Sequence, residues 1–149
     1  MDAPLYNARI LRLAASIPHA GRLAHPMASV RRTSPVCGSR VTADVVVDAQ
    51  GRITEFAQEV RACALGQASA AILGAGVIGE TGAALAEDAA VLGDWLKGEG
   101  PLPGRLATRF PELALFEPAR AHPARHPSIR LAFEAAAEAA TAARLTRAA

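Results

Sequence analysis

Arg40-Val41-Thr42-Ala43-Asp44-Val45-Val46-Val47 is followed at once by Asp48-Ala49-Gln50-Gly51. Val41, Ala43, Val45 and Val47 alternate with Arg40, Thr42 and Asp44, and the alternation blurs only at Val46. That period of two, carried by β-branched residues, is the mark of a half-buried strand. The four residues after it form a turn that ends on glycine. Residues 52–60 then read as the returning strand, with Ile53, Phe56 and Val60 apolar. Upstream, a strand over 28–34 can pair with 40–47 through a tight loop at Pro35-Val36-Cys37-Gly38-Ser39. The block predicts a three-stranded antiparallel meander.

On either side of this block the chain reads as helix. Leu5, Ile10, Leu11, Leu13, Ala14 and Ile17 make an apolar stripe over residues 4–17, which Pro18 stops. Pro18, Gly21 and Pro26 mark 18–27 as a connector. After Cys63, residues 64–79 and 82–97 read as helices, and Gly98-Glu99-Gly100-Pro101-Leu102-Pro103-Gly104 as a linker. A short helix is expected over 108–116. Prolines 118, 123 and 127 hold the chain extended or turning, and a last helix runs over 127–146. Strands followed by helices, without an internal repeat, indicate an α+β fold with helices packed mainly on one face of the sheet. A length of 149 residues suits one domain spanning 1–149.

Composition narrows the function classes. The net charge of +2 is too small for an electrostatic nucleic-acid binder. No run approaches the roughly 18 apolar residues a membrane helix needs. Met1-Asp2-Ala3-Pro4 does not open a secretory signal, so a cytoplasmic location is expected. The chain holds 36 alanines, 15 arginines and one lysine, a genome-like bias from which no function is read. Two cysteines are too few for a disulfide framework. No Ser/His/Asp arrangement or acid pair has recognisable spacing, so an enzyme is not expected.

Three groups of residues could carry chemistry. Gly74-Ala75-Gly76-Val77-Ile78-Gly79 is a literal G-x-G-x-x-G, with Asp94 downstream where a dinucleotide fingerprint places its acid. That motif needs a buried strand before it, and the preceding Gln67–Leu73 segment is alanine-rich and reads as helix. Small residues for close packing inside a helix are the simpler reading; a dinucleotide-binding protein built on Gly74–Gly79 is the alternative. The second group is the cysteine pair. Cys37 lies in a strand-to-strand loop beside Gly38, where the backbone can approach a bound group closely. Cys63 directly precedes a helix, and free amides and the helix dipole at such a place favour thiolate, the form that binds metal or accepts sulfur. The spacing is not that of a zinc knuckle. The third is His126, in Arg125-His126-Pro127-Ser128, with Pro127 suited to a first helical turn.

Taken in order, Tyr6-Asn7, Ser34-Pro35-Val36-Cys37-Gly38-Ser39, Arg61-Ala62-Cys63-Ala64-Leu65-Gly66-Gln67-Ala68-Ser69-Ala70 and Arg125-His126-Pro127-Ser128-Ile129 resemble the U-type iron–sulfur cluster assembly scaffold family (the IscU/NifU N-terminal domain and its SufU relatives). The likeness covers most of the chain. The long stretch between Cys63 and the last helix is similar to the insertion of the SufU-like branch. The resemblance implies a scaffold rather than an enzyme, holding iron, zinc or a labile Fe–S cluster. A cysteine desulfurase and Fe–S recipient proteins would be its partners, with no nucleic acid or membrane. It further implies that Cys37 and Cys63 match two cysteine ligands and that His126 matches the variable residue before a third. The family aspartate falls on Ser39 and the third cysteine on Pro127. Two thiolates with Ser39 and His126 beside them make a weaker site than three thiolates and a carboxylate. A degenerate relative that binds no metal and acts as an interaction or regulatory protein is therefore the alternative function.

Overall fold

The computed structural model describes residues 5–36 and 38–148. Three strands, β1 (Ala28–Thr33), β2 (Arg40–Val47) and β3 (Ile53–Arg61), form one antiparallel sheet in the order β1-β2-β3. Thr33 faces Arg40 across the first hairpin, and Arg40 faces Arg61 across the second. The register slips by one residue between Val46 and Val47, where the chain enters the turn. Asp48 closes that turn by accepting hydrogen bonds from the amides of Gln50 and Arg52.

Val41, Ala43, Val45 and Val47 are buried on one face, as their alternation dictates. The helices α1 (Ala8–Ala15), α2 (Ala64–Gly76), α3 (Gly82–Lys97), α4 (Gly104–Arg109) and α5 (His126–Ala148) follow the architecture expected. Helix α5 supplies Ile129, Ala132, Phe133, Ala136 and Ala140 to the core. Its Phe133 ring meets Phe110 edge-on at 5.0 Å. The middle of the other face of β2, at Thr42 and Asp44, is also buried, and the connector folds over Asp44. Asp44 is fully buried there and accepts hydrogen bonds from the Arg22 guanidinium, the Ser29 hydroxyl and the Leu23 amide.

The boundaries differ most from the sequence expectation around α1, α2 and residues 104–125, where Pro118 and Pro123 lie in 3-10 segments and not in extended chain. Helix α1 begins at Ala8, not near residue 4, because the Asn7 side chain accepts the Ile10 amide and so caps it. Helix α2 stops at Gly76 instead of running to 79; Gly79 takes φ +91°, a left-handed conformation that suits glycine. The helix expected over 108–116 is two elements, α4 and a 3-10 segment over Pro111–Ala121. Arginine side chains hold this region down. Arg109 donates to the carbonyls of Gly76 and Ile78, Arg105 to that of Ala84, and Arg120 to those of Trp95 and Gly100. Arg120 also lies 4.4 Å over the Trp95 ring. Among the described residues no helix is long and apolar enough to cross a membrane.

Candidate functional site

Three elements converge at one end of the sheet: the β1–β2 loop, the start of α2 and the start of α5. Hydrogen bonds from the Ser34 amide to the Ser39 carbonyl and from the Gly38 amide to the Ser34 carbonyl close the loop. Ser34 and Ser39 thus continue the Thr33–Arg40 ladder by one further pair. Directly opposed residues project to the same face, which here is the face of Val41 and the helices. Both serines are buried, at 2% and 5% exposure.

Cys63 is the residue on which α2 starts. It is half-buried, carries no disulfide, and makes no capping hydrogen bond through its side chain. The first helical bond runs from the Gln67 amide to the Cys63 carbonyl, so Ala64, Leu65 and Gly66 are the amides that a helix start leaves without a helical acceptor. Gly66 permits the contact with α5: a Cβ there would lie 3.3 Å from the Ser128 carbonyl oxygen and 3.6 Å from the Ser128 Cβ. One turn later the Ser69 hydroxyl donates to the Ile129 carbonyl at 2.5 Å, which pins the two helix starts together. Across the same junction, the Ser39 and Ser128 hydroxyls stand 3.4 Å apart.

His126 opens α5 and is buried. Its Nε2 lies 3.0 Å from the Ala119 carbonyl oxygen. A carbonyl only accepts, so Nε2 carries the proton, and in the neutral ring Nδ1 keeps the lone pair. The imidazole thereby ties the insertion to the first turn of α5, and any ligation by it falls to Nδ1.

Of the residues singled out in the sequence, Ser39, Cys63 and His126 lie on the three converging elements, and Cys37 lies outside the described residues. Among the described residues, no three His, Cys, Asp or Glu side chains gather to hold a metal ion. Ser128 is the residue that sequence reasoning passed over. It faces Ser39, whereas Pro127 precedes it by one position, about 100° away around the helix. Helical spacing from Leu131 and Ala132, both buried in the same helix, was the signal available for it.

Gly74–Gly79 lies elsewhere and has a packing role. Gly74 adjoins Gln58 and Pro18, and Gly76 adjoins Phe110 and Arg109. A helix, not a strand, precedes the motif, so the arrangement a dinucleotide fingerprint requires is not present.

No family model and no curated protein matches the chain. Solved structures do. The chain superposes on a NifU-like nitrogen-fixing protein (N-terminal part) from Brucella abortus with a TM-score of 0.84 and 39% identity, over 95% of each chain. A hypothetical protein solved at 2.3 Å matches with a TM-score of 0.77 and 25% identity, over 92% of this chain and 97% of that one. A protein assigned as the iron–sulfur cluster assembly scaffold of the SUF system in the thermophile Fervidobacterium islandicum matches at 0.78 and 18% identity, over 91% and 96%, a likeness of fold alone. With 39% of its residues shared across nearly the full length of the Brucella domain, the chain belongs to the NifU-like N-terminal, U-type scaffold family.

Proposed function

We propose that this protein is an iron–sulfur assembly scaffold-like protein that takes iron, zinc or a labile Fe–S cluster as cargo through Cys37 and Cys63. The observation that carries the reading is the start of α2: in a chain 39% identical to a NifU-like domain, a thiol stands at the N-terminus of a helix whose Gly66 adjoins Ser128, and Ser128 pairs with Ser39. A cysteine sulfur is the donor type that soft metals prefer. Around it the donor set is thin. Serine hydroxyls are neutral and weak beside a carboxylate and a thiolate, and His126 offers only Nδ1. Cargo is therefore held loosely and passed on, with a cysteine desulfurase and Fe–S recipient proteins as partners, in the cytoplasm and without catalysis by the chain itself.

Reconstitution of the oxygen-free protein with ferric iron and sulfide tests this. The expected result is a visible sulfide-to-iron charge-transfer band that is lost on gel filtration with a chelator and absent from Cys63→Ala. A protein that stays colourless and metal-free under these conditions supports the second reading, a non-ligating relative that acts as an interaction or regulatory protein. The two serines on the converging elements are the observation in its favour.

A further inference from the structure

We infer that the groove between α3 and α5 binds a single-chain amphipathic carboxylate, with its chain on an alanine floor and its head group at Arg130 and Lys97. The site is distinct from the cargo site: none of Ser39, Cys63, His126 and Ser128 lines it. The two helices run antiparallel, since Gly82 adjoins Thr141 and Ala137 at one end and Gly93 adjoins Arg130 at the other. The groove between them has a volume of about 650 Å³, within the range of small-molecule clefts. Ala89 and Ala137 are buried in its floor, and Ala86 and Ala90 are exposed on its α3 wall. Methyl groups in place of branched side chains leave a shallow slot along the helix axes, which suits an unbranched chain.

The two ends of the groove differ in charge. At one end Arg130 lies across α3 where Gly93 has no side chain; a Cβ there would stand 3.2 Å from the Arg130 Cδ and 3.7 Å from its Nη1. The Arg130 Nε is buried without a hydrogen-bond partner, and a buried donor left unpaired is costly. Lys97 stands one turn beyond Gly93 and lines the same groove. Neither cation has an ion pair or hydrogen bond among the described residues. Asp94 is the carboxylate beside them, so Asp94, Lys97 and Arg130 together carry one net positive charge. Further along α5, Glu134 and Glu138 are engaged by Arg32, at 3.9 and 3.0 Å, and their charge keeps an anionic head group at the Arg130 end. At the far end Leu145 lines the groove and is 69% exposed. Arg130 and Leu145 are fifteen residues apart on α5, about 22 Å. Cations without partners at one end only, and an exposed leucine at the other, match one acidic head group on an apolar chain. They do not match a partner helix with charges along its length.

The test follows amide resonances of the full-length chain while sodium dodecanoate is added below its micelle concentration. Sodium acetate controls for the head group alone, and dodecyltrimethylammonium chloride for the tail alone. The expected result is saturable shifts at Gly93 and Ala137 with dodecanoate, none with acetate, and clearly weaker binding of the cationic amphiphile. Arg130→Gln should weaken dodecanoate binding about tenfold or more, the worth of a hydrogen bond between charged groups. Lys97→Gln should weaken it about two- to fivefold, as for an exposed ion pair. Ala90→Trp, at an exposed position, should fill the slot and abolish binding. Should that variant fail to fold, Leu145→Glu decides, with an expected loss of about threefold or more. Equal binding of the two amphiphiles, shifts spread over the whole surface, or indifference to Arg130→Gln overturns the proposal. So does a dimer, seen by sedimentation, that Ala90→Trp abolishes while dodecanoate does not bind, for then a second copy occupies the groove. An acidic amphipathic peptide that binds these residues where dodecanoate does not would place a protein helix there, with the same consequence.

Discussion

The hydroxyls of Ser39 and Ser128, 89 residues apart in the chain, meet at 3.4 Å in the buried junction of β2 with α5. The family resemblance puts an aspartate at the first of these positions. The structure puts Ser128, not Pro127, opposite it, and we propose Ser128 as the counterpart of the third cysteine. On this proposal two neutral hydroxyls stand where the family has anionic ligands, and among the described residues no three His, Cys, Asp or Glu side chains gather to hold a metal ion.

Restoring those ligands should restore retention. Ser39→Asp with Ser128→Cys is expected to hold zinc roughly tenfold or more tightly than the natural chain. Ser39→Asp with Pro127→Cys should gain little, since a thiol one helical position away points elsewhere. Competition with a chromogenic chelator reads the difference. Affinity in the restored variant should fall as pH drops, because protons compete for the thiolates. Equal gains from Pro127→Cys and Ser128→Cys would show that the family position lies at 127.

Legibility followed the range of the interactions. Alternating valines and a glycine-closed turn gave β2 its observed bounds of Arg40–Val47. Thr81, which caps α3, and Lys97-Gly98, which ends it, gave that helix its expected span. The insertion resisted reading because long-range contacts set its shape. Nothing local to Arg105, Arg109 or Arg120 announces that each side chain will donate to a carbonyl 20 to 33 residues away. At the site, motif spacing singled out Ser39, Cys63 and His126, which the fold places on converging elements; nothing local to Ser128 announces its approach to Ser39, 89 residues away.

Asp44 anchors the connector to the sheet, and its removal should be costly. Burial would push its carboxyl up, but hydrogen bonds from Arg22, Ser29 and the Leu23 amide outweigh burial and hold it below the usual carboxylate range. A carboxylate so depressed stabilises the fold above its unfolded value, and the contribution is lost as pH falls through the folded one. Asp44→Asn should cost about 2 kcal/mol at neutral pH, with the gap to the natural chain narrowing in acid. Denaturant titrations at pH 7 and pH 3 measure this. A pH-independent gap would mean that the charge of Asp44 contributes nothing.

Asp88 has the opposite sign. Burial dominates and raises its carboxyl, the hydrogen bond and charge of Arg105 draw it back only in part, and Glu87 adds repulsion. The fold then binds this proton more tightly than the unfolded chain does. The stability it contributes is full below the ordinary carboxylate range and is lost as pH rises through the raised value. Asp88→Asn keeps an acceptor for Arg105 without the buried charge. It is expected to melt at or slightly above the natural chain at pH 7 and to lose that advantage near pH 4. A lower melting temperature at pH 7 would show that the Arg105 ion pair outweighs the burial.

Gly76 supplies the sharpest test of what the glycine motif does. A Cβ built there would lie 2.8 Å from the Phe110 ring and 3.2 Å from the Arg109 carbonyl oxygen, closer than packed atoms tolerate. The Phe110 ring is itself fixed against Phe133 of α5 and cannot give way freely. Alanine would ordinarily favour a helix by up to about 1 kcal/mol over glycine, but here overpacking costs about 1–3 kcal/mol. Gly76→Ala should therefore lower the denaturation midpoint. The control is Gly104→Ala at the start of α4, where a Cβ meets nothing within 4 Å; it should be neutral or mildly stabilising. Neither variant should alter binding of a fluorescent dinucleotide, for which no binding is expected. A Gly76→Ala chain as stable as the natural one would show that α2 and Phe110 do not pack as tightly as described, and saturable dinucleotide binding abolished by Gly76→Ala would return the motif to its nucleotide reading.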